Sequence, residues 1–439
     1  MVIREHYLKQ IRPFYDSDLI KIITGIRRCG KSVILEQVQD EIKAAGKPCL
    51  FLDFDLKTTR NLIPDADALI DYIDKYTKKE KLYVFLDEIQ NVKEWNEACR
   101  TLRLKNCSVF ISGSNSKLLS KEFTKELSGR YISFRVRPFV YKEILEYARQ
   151  NGKEYSISDY LVWGGFPAAL TLDDIDAKRR YLNDLNDTIV YNDLENRYKI
   201  RKKEEFERIV DYILISNARI FSAKSISDYM KGKNISVSVP TVIKYLGYLK
   251  EAYVIADVAL YSPKAKSKLK YYYKLYDEDV SMNSIRVSGT RYDLTHNLEN
   301  IVLNELLFMG YEVTVYDNKG REIDFRAEKD GKTYLIQVAY SVAEDKSYER
   351  EFSAFSNIDN SIKKIIITND DIDYSTSGIY NALPSELRSK IINTTVISGH
   401  NNNDSTNFTT TDKLYLLSTK EVWGKEGTSN VINYDSAEA

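Results

Sequence analysis

The run Gly25-Ile26-Arg27-Arg28-Cys29-Gly30-Lys31-Ser32 fits the spacing G-x-x-x-x-G-K-[ST] and sits between an apolar stretch and the helical run that Val33 continues. In such a loop the glycines let the backbone wrap until successive N–H groups converge on phosphate oxygens, and the following helix adds its positive end. Lys31 is placed to neutralise the β- and γ-phosphates and Ser32 to ligate Mg²⁺, so ATP and Mg²⁺ are the expected ligands of Gly25–Val33. A second cluster follows in Tyr83-Val84-Phe85-Leu86-Asp87-Glu88, an apolar strand ending in two carboxylates. There Asp87 is the candidate metal ligand and Glu88 the candidate base that orients and deprotonates water. A third polar strand end, Ile111-Ser112-Gly113-Ser114-Asn115-Ser116, offers Ser114 and Asn115 as sensors of the γ-phosphate or the water, although a helix cap accounts for these residue types nearly as well. Arg130, in Glu126-Leu127-Ser128-Gly129-Arg130, is a candidate arginine finger, acting in its own subunit or a neighbour, with a surface ion pair as the alternative.

These groups need a rigid frame, and the chain supplies a pattern for one. Short β-branched apolar runs at Leu19–Thr24, Cys49–Phe54, Tyr83–Leu86, Ser108–Ser112 and Tyr131–Val136 alternate with mixed segments, which predicts a parallel sheet covered on both faces by crossover helices. From Pro138 to Arg201 the pattern turns helical around a break at Gly164-Gly165-Phe166-Pro167. Residues 202–285 read as three helices and a two-stranded wing, with Val242, Ile243, Leu246 and Leu249 as the apolar stripe of the third helix. Residues 286–380 read as helix, three strands, helix, strand, and residues 381–439, rich in Asn, Ser and Thr, as a polar tail.

Composition excludes more than it assigns. Lys+Arg and Asp+Glu are 64 each in 439 residues, so no global field favours nucleic acid or membrane and any basic surface is local. Four cysteines without C-x-x-C pairing and three histidines suggest neither a disulfide framework nor a zinc site. With no long apolar run at the N-terminus or elsewhere, a reducing cytoplasm without membrane contact is the expectation.

Taken in order, Gly25–Ser32, Val84–Gln90, Ile111–Ser116, Leu127–Tyr131, Gly164–Pro167, Leu298–Leu306 and the pair Arg321–Phe325 with Tyr334–Ser341 resemble the bacterial and archaeal AAA-type P-loop ATPases that carry a C-terminal DUF4143 domain. The resemblance covers residues 1–378. It implies an α/β protein: an additional-strand, AAA-like P-loop NTPase core over 1–137, a helical lid or linker over 138–201, a winged-helix unit over 202–285 and a degenerate restriction-endonuclease-like α/β unit, similar to PD-(D/E)xK nucleases, over 286–380. In that last unit Asp324 and Gln337 match the nuclease acids and Glu299 could supply a helix carboxylate, but Ala339 stands where a lysine supports the hydroxide. No cleavage is therefore expected unless a lysine from elsewhere substitutes, for which Lys346 is the candidate.

In the winged unit, Ser238, Thr241, Lys244, Tyr245 and Tyr248 lie off the apolar stripe, and Lys266, Lys268 and Lys270 share one strand face beside aromatics. DNA is thus a candidate partner; lysines guarding an edge strand, on a unit that docks protein, are the alternative. The expectation is a homo-oligomeric ATPase coupling nucleotide state to its C-terminal units. The alternatives are a nucleotide-gated DNA-binding regulator with slow hydrolysis and a metal-dependent nuclease using Asp324.

Overall fold

A computed structural model describes residues 2–77, 80–114, 129–261, 273–287, 291–359, 361–376 and 378–383. The expected N-terminal strands form as β1 (Ile20–Thr24), β2 (Cys49–Asp53), β3 (Leu82–Asp87), β4 (Cys107–Gly113) and β5 (Tyr131–Arg135). All pair in parallel, in the order β2-β3-β4-β1-β5. β1, β3 and β4 are buried along their whole length, because both faces are covered. Ile23, Phe85 and Phe110 pack with Ile34, Leu35 and Val38 of the helix Lys31–Ala44. Ile22, Val84 and Ile111 pack on the opposite side with Leu69, Ile73, Ala98 and Leu102 from the helices Ala66–Asp74 and Trp95–Leu104. β4 lies between β3 and β1, so the phosphate loop and the Asp87-Glu88 pair end on strands separated by one other.

Helices Tyr141–Asn151, Ile157–Trp163 and Ile175–Asn186 follow, and the last continues through a π-helical turn, Asp187–Asp193, into Leu194–Tyr198. The next unit has the order Lys203–Ile215 helix, β6 (Arg219–Phe221), Ala223–Gly232 helix, Val239–Glu251 helix, β7 (Ile255–Ala259) and β8 (Tyr273–Asp277). The three helices are as expected, but β6 makes the wing a three-stranded antiparallel sheet, β6-β8-β7. In the third helix the apolar face is rotated from the expected one. Val242, Tyr245 and Leu249 are buried, Tyr245 edge-on against Phe206, while Ile243 is 58% exposed. The stripe follows i, i+3, i+7, which leaves Ile243 on the solvent side.

The helix Leu294–Phe308 lies against the second large sheet: β9 (Glu312–Asn318), β10 (Arg321–Lys329), β11 (Lys332–Val338), β12 (Lys363–Ile367) and β13 (Ile379–Ala382), with the helix Asp345–Ser353 between β11 and β12. β9–β11 are antiparallel and β11–β13 parallel. β13 was not foreseen; it reaches Ala382, with Asn381 and Ala382 buried, two residues into the stretch read as polar tail. Among the described residues no helix is long and apolar enough to cross a membrane.

Candidate functional site

The C-terminal ends of β1, β3 and β4 converge. Gly25 leaves β1 with φ near 151°, and a Cβ there would stand 2.0 Å from the Val136 carbonyl oxygen. Only glycine lets the loop pass that close. Gly30, in the left-handed region at φ 99°, turns the chain into the helix Lys31–Ala44. No side chain caps that helix's first turn and no acid lies in it, so its N–H groups keep their capacity for an anion. Lys31 is 4% exposed; its ammonium donates to Gly25 O at 3.3 Å and Ile26 O at 3.2 Å and lies 3.8 Å from Glu88 Oε1.

Asp87 and Glu88 meet this loop as expected from the sequence. Asp87 is buried and takes hydrogen bonds from the Ser112 hydroxyl and from Ser32. Burial pushes the Asp87 carboxyl above its usual range, a trend that those two hydroxyls oppose. Glu88 adopts φ 50°, unusual for a residue with a side chain, and its backbone N–H donates to Ser112 Oγ at 3.1 Å. Its carboxylate accepts from the Gln90 amide and, at 3.4 Å, from Ser114 Oγ. Ser32 and Asp87 together offer a hydroxyl and a carboxylate, the small hard-oxygen set with which Mg²⁺ is held when phosphates and water complete its shell.

The other loop residues divide. Ile26 and Cys29 are wholly buried, with Cys29 Sγ 3.4 Å from Val136 O, so their side chains pack the loop rather than meet ligand. Arg27 pairs with Asp193 on the π-helical turn at 3.1 Å, Arg28 is exposed at φ 67°, and Val33 is half-buried in the helix. Arg130 is exposed and carries β5's first backbone contact, its carbonyl accepting from Ile20 N at 3.1 Å. Asn115 lies outside the described residues, as do Lys266, Lys268 and Lys270. Lys244 is exposed, with its ammonium 5.7 Å from the Tyr248 ring centroid.

Three positioning groups were missed. Ser112 touches both acids; its place in the polar end of β4 was visible, but the register was not. Arg4, 1% exposed, donates to Cys29 O at 2.9 Å, to Arg137 O at 2.9 Å and to the Glu143 carboxylate at 2.7 and 2.8 Å, bracing the phosphate loop from behind. Nothing near Arg4 in the sequence signals this. The third is Lys274 on β8. Its ammonium reaches Glu299 Oε1 at 2.7 Å, Glu322 Oε1 at 2.7 Å and Asp324 Oδ1 at 3.0 Å.

Lys346 is thereby corrected as the substitute lysine: it is exposed on the helix Asp345–Ser353, and the amine at the nuclease-like acids comes from fifty residues before Asp324. Gln337 accepts from the Asp324 N–H at 3.2 Å and donates to Glu351 at 2.7 Å. Among the described residues no group of three or more His, Cys, Asp or Glu is arranged to hold a metal.

Comparison with known proteins accords with this architecture. The AAA domain family matches residues 17–145, a domain of unknown function (DUF8612) residues 154–289, and a domain of unknown function (DUF4143) residues 295–387. An uncharacterized protein of Haemophilus influenzae is 32% identical over 380 residues, covering 84% of this chain and 93% of that protein. An uncharacterized protein of Methanocaldococcus jannaschii is 31% identical over 371 residues, covering 80% and 82%. Among solved structures, a Walker-type ATPase of Pyrococcus abyssi is similar over 65% of this chain and 96% of that one, at 18% identity and a TM-score of 0.46. With two relatives above 30% identity along most of both chains and the two flanking family matches in order, the chain belongs to the AAA-type P-loop ATPases that carry a C-terminal DUF4143 domain.

Proposed function

We propose that the chain binds and hydrolyses ATP with Mg²⁺ and couples the nucleotide state to its C-terminal units. The observation that carries this reading is the convergence of Lys31, Ser32, Asp87 and Glu88, with Ser112 joining the two acids. Backbone N–H groups of Gly25–Val33 cradle the phosphates. Lys31, now spent on two carbonyls of its own loop, turns to the β/γ oxygens. Ser32 and Asp87 would hold Mg²⁺, which would neutralise charge on the phosphates. Glu88 takes the proton of the attacking water, with Ser114 reporting on the same oxygen. Arg130, exposed at the start of β5, serves a neighbouring γ-phosphate in a homo-oligomer.

Turnover of ATP with Mg²⁺ tests this. Lys31→Ala weakens nucleotide binding, whereas Glu88→Gln keeps binding and lowers turnover by about a hundredfold or more, as loss of a general base does. Equal turnover in Glu88→Gln would remove the base from the scheme. A DNA-binding output has one feature in its favour, the exposed Lys244 on the third helix of the winged unit. Turnover or DNA affinity that responds to both partners over a salt series distinguishes that output from docking of a protein.

A further inference from the structure

The carboxylates that would hold a nuclease metal are already holding a cation. Lys274 is 6% exposed by side chain, Glu299 7% and Asp324 8%. An ammonium has three N–H bonds, and Lys274 has three carboxylate acceptors, Glu299, Glu322 and Asp324, at 2.7, 2.7 and 3.0 Å. Two of these acids take further donors, Asp324 on its second oxygen and Glu299 on the oxygen that Lys274 already holds. The Val338 N–H donates to Asp324 Oδ2 at 2.9 Å and the Tyr276 hydroxyl to Glu299 Oε1 at 2.6 Å. The Gln337 amide is turned away into its bonds with Asp324 N and Glu351. The acids therefore do not fit a Mg²⁺ ion in this arrangement. The lysine comes from β8, the central strand of the β6-β8-β7 sheet, which is held on both sides by its ladders.

We propose that the Lys274 ammonium takes the place of the metal ion in this nuclease-like unit, converting its acids from a hydrolytic centre into an ionic joint that fastens β8 to the helix Leu294–Phe308 and to β10. The joint is reinforced on either side. Asn300 accepts from Asp277 N at 2.9 Å and donates to Asp277 O at 2.9 Å, and Asn304 donates to Glu278 O at 3.2 Å. At the far end of the small sheet Leu260 bridges to Val315 of β9. A buried cation surrounded by acids is costly to vacate, because removing it leaves uncompensated carboxylates in a low-dielectric site. Once the ammonium is removed, the three carboxylates that met it are left as the hard-oxygen donors a divalent ion takes, free to rearrange around one.

Mn²⁺ binding to the nucleotide-free full chain, read from the free-ion electron paramagnetic signal, tests this independently of any ATPase activity. Wild type and Asp324→Asn are expected to bind Mn²⁺ alike, any ion at Ser32 and Asp87 being common to both. Lys274→Gln gains one further site, at least about tenfold tighter than anything at that cluster in wild type, and Lys274→Gln with Asp324→Asn loses it again. A wild-type site that Asp324→Asn abolishes, nicking of plasmid DNA by wild type that Asp324→Asn abolishes, or a folded Lys274→Gln that gains no site would each overturn the proposal. Should Lys274→Gln fail to fold, the wild-type and Asp324→Asn pair decides by itself, since Asp324→Asn keeps the side-chain shape and two of the ammonium's three acceptors.

Discussion

Ser112 is the residue on which the two acids of the ATPase core depend. Its hydroxyl donates to Asp87 and accepts from the backbone N–H of Glu88, a residue held at φ 50°. Removing it frees a buried carboxylate and loosens the backbone that aims Glu88, the base we propose. Ser112→Ala is therefore expected to lower turnover by about ten- to a hundredfold, as small misplacements of catalytic groups do, while nucleotide affinity changes by less than about threefold. Single-turnover hydrolysis beside a nucleotide titration separates the two, and an affinity loss matching the rate loss would contradict this positioning role. Lys31, Ser32, Asp87 and Glu88 were legible because their chemistry is written in contiguous motifs. Ser112 and Arg4 were not, because one acts through the register of β4 against β3 and the other across a separation that only folding closes.

Among the elements, β1 carries an anomaly of its own: Lys21 is buried within an apolar strand. Its ammonium donates to Ser108 Oγ at 2.7 Å and Ser17 O at 3.2 Å and lies 4.6 Å over the Phe110 ring, with no carboxylate among these contacts. Burial, with a smaller push from Lys81, brings its pKa down to about 7 from an ordinary value of 10.5. Between those two values the unfolded chain binds the proton that the folded chain has released, so stability rises with pH across that window. Lys21→Met is expected to abolish that rise. Melting temperatures of both proteins at intervals from pH 7 to 10 check it, and a constant difference between them would sink the reading. The strands themselves were readable, since unbroken apolar runs are what two-sided burial requires. The third helix of the winged unit was misphased because Val242 and Ile243 are adjacent apolar residues, and the choice between them lies in the partner Phe206, not in the run itself. β13 was missed because four residues, two of them Tyr and Asn, carry too little pattern to stand out from a polar stretch.

Across the whole molecule, β8 and the residues just beyond it join the parts. Glu278, 1% exposed, takes Arg135 at 2.5 Å and Arg137 at 3.0 Å from the end of β5, and Asp279 accepts from Gly165 N at 2.7 Å. The break at Gly164-Gly165 thus exists to bring backbone against this acid and against Phe139, whose N–H donates to Gly165 O at 2.8 Å. Glu278→Ala leaves Arg137 buried without its countercharge, which typically costs about 3–5 kcal/mol. The expected outcome is a marked fall in melting temperature, together with loss of any nucleotide-dependent change in the protease sensitivity of residues beyond 280. A variant as stable as wild type would show that this contact does not bind the units together. The organisation into successive α/β, helical and sheet units was readable from period and order. The contacts between units were not, since each pairs a residue with one that nothing nearby in the sequence nominates.

The position of Lys274 bears on how such a chain can be taken apart. The two C-terminal family matches meet between residues 289 and 295, and a dissection guided by them would cut there. That cut separates Lys274 from Glu299, Glu322 and Asp324, and Asp277 from Asn300, leaving one fragment with a bare ammonium and the other with a nest of unshielded acids. The severable unit is larger than the homologous one. Fragments that begin at 295 inherit a fault line through their own interior, and the smallest piece with a complete surface includes β8.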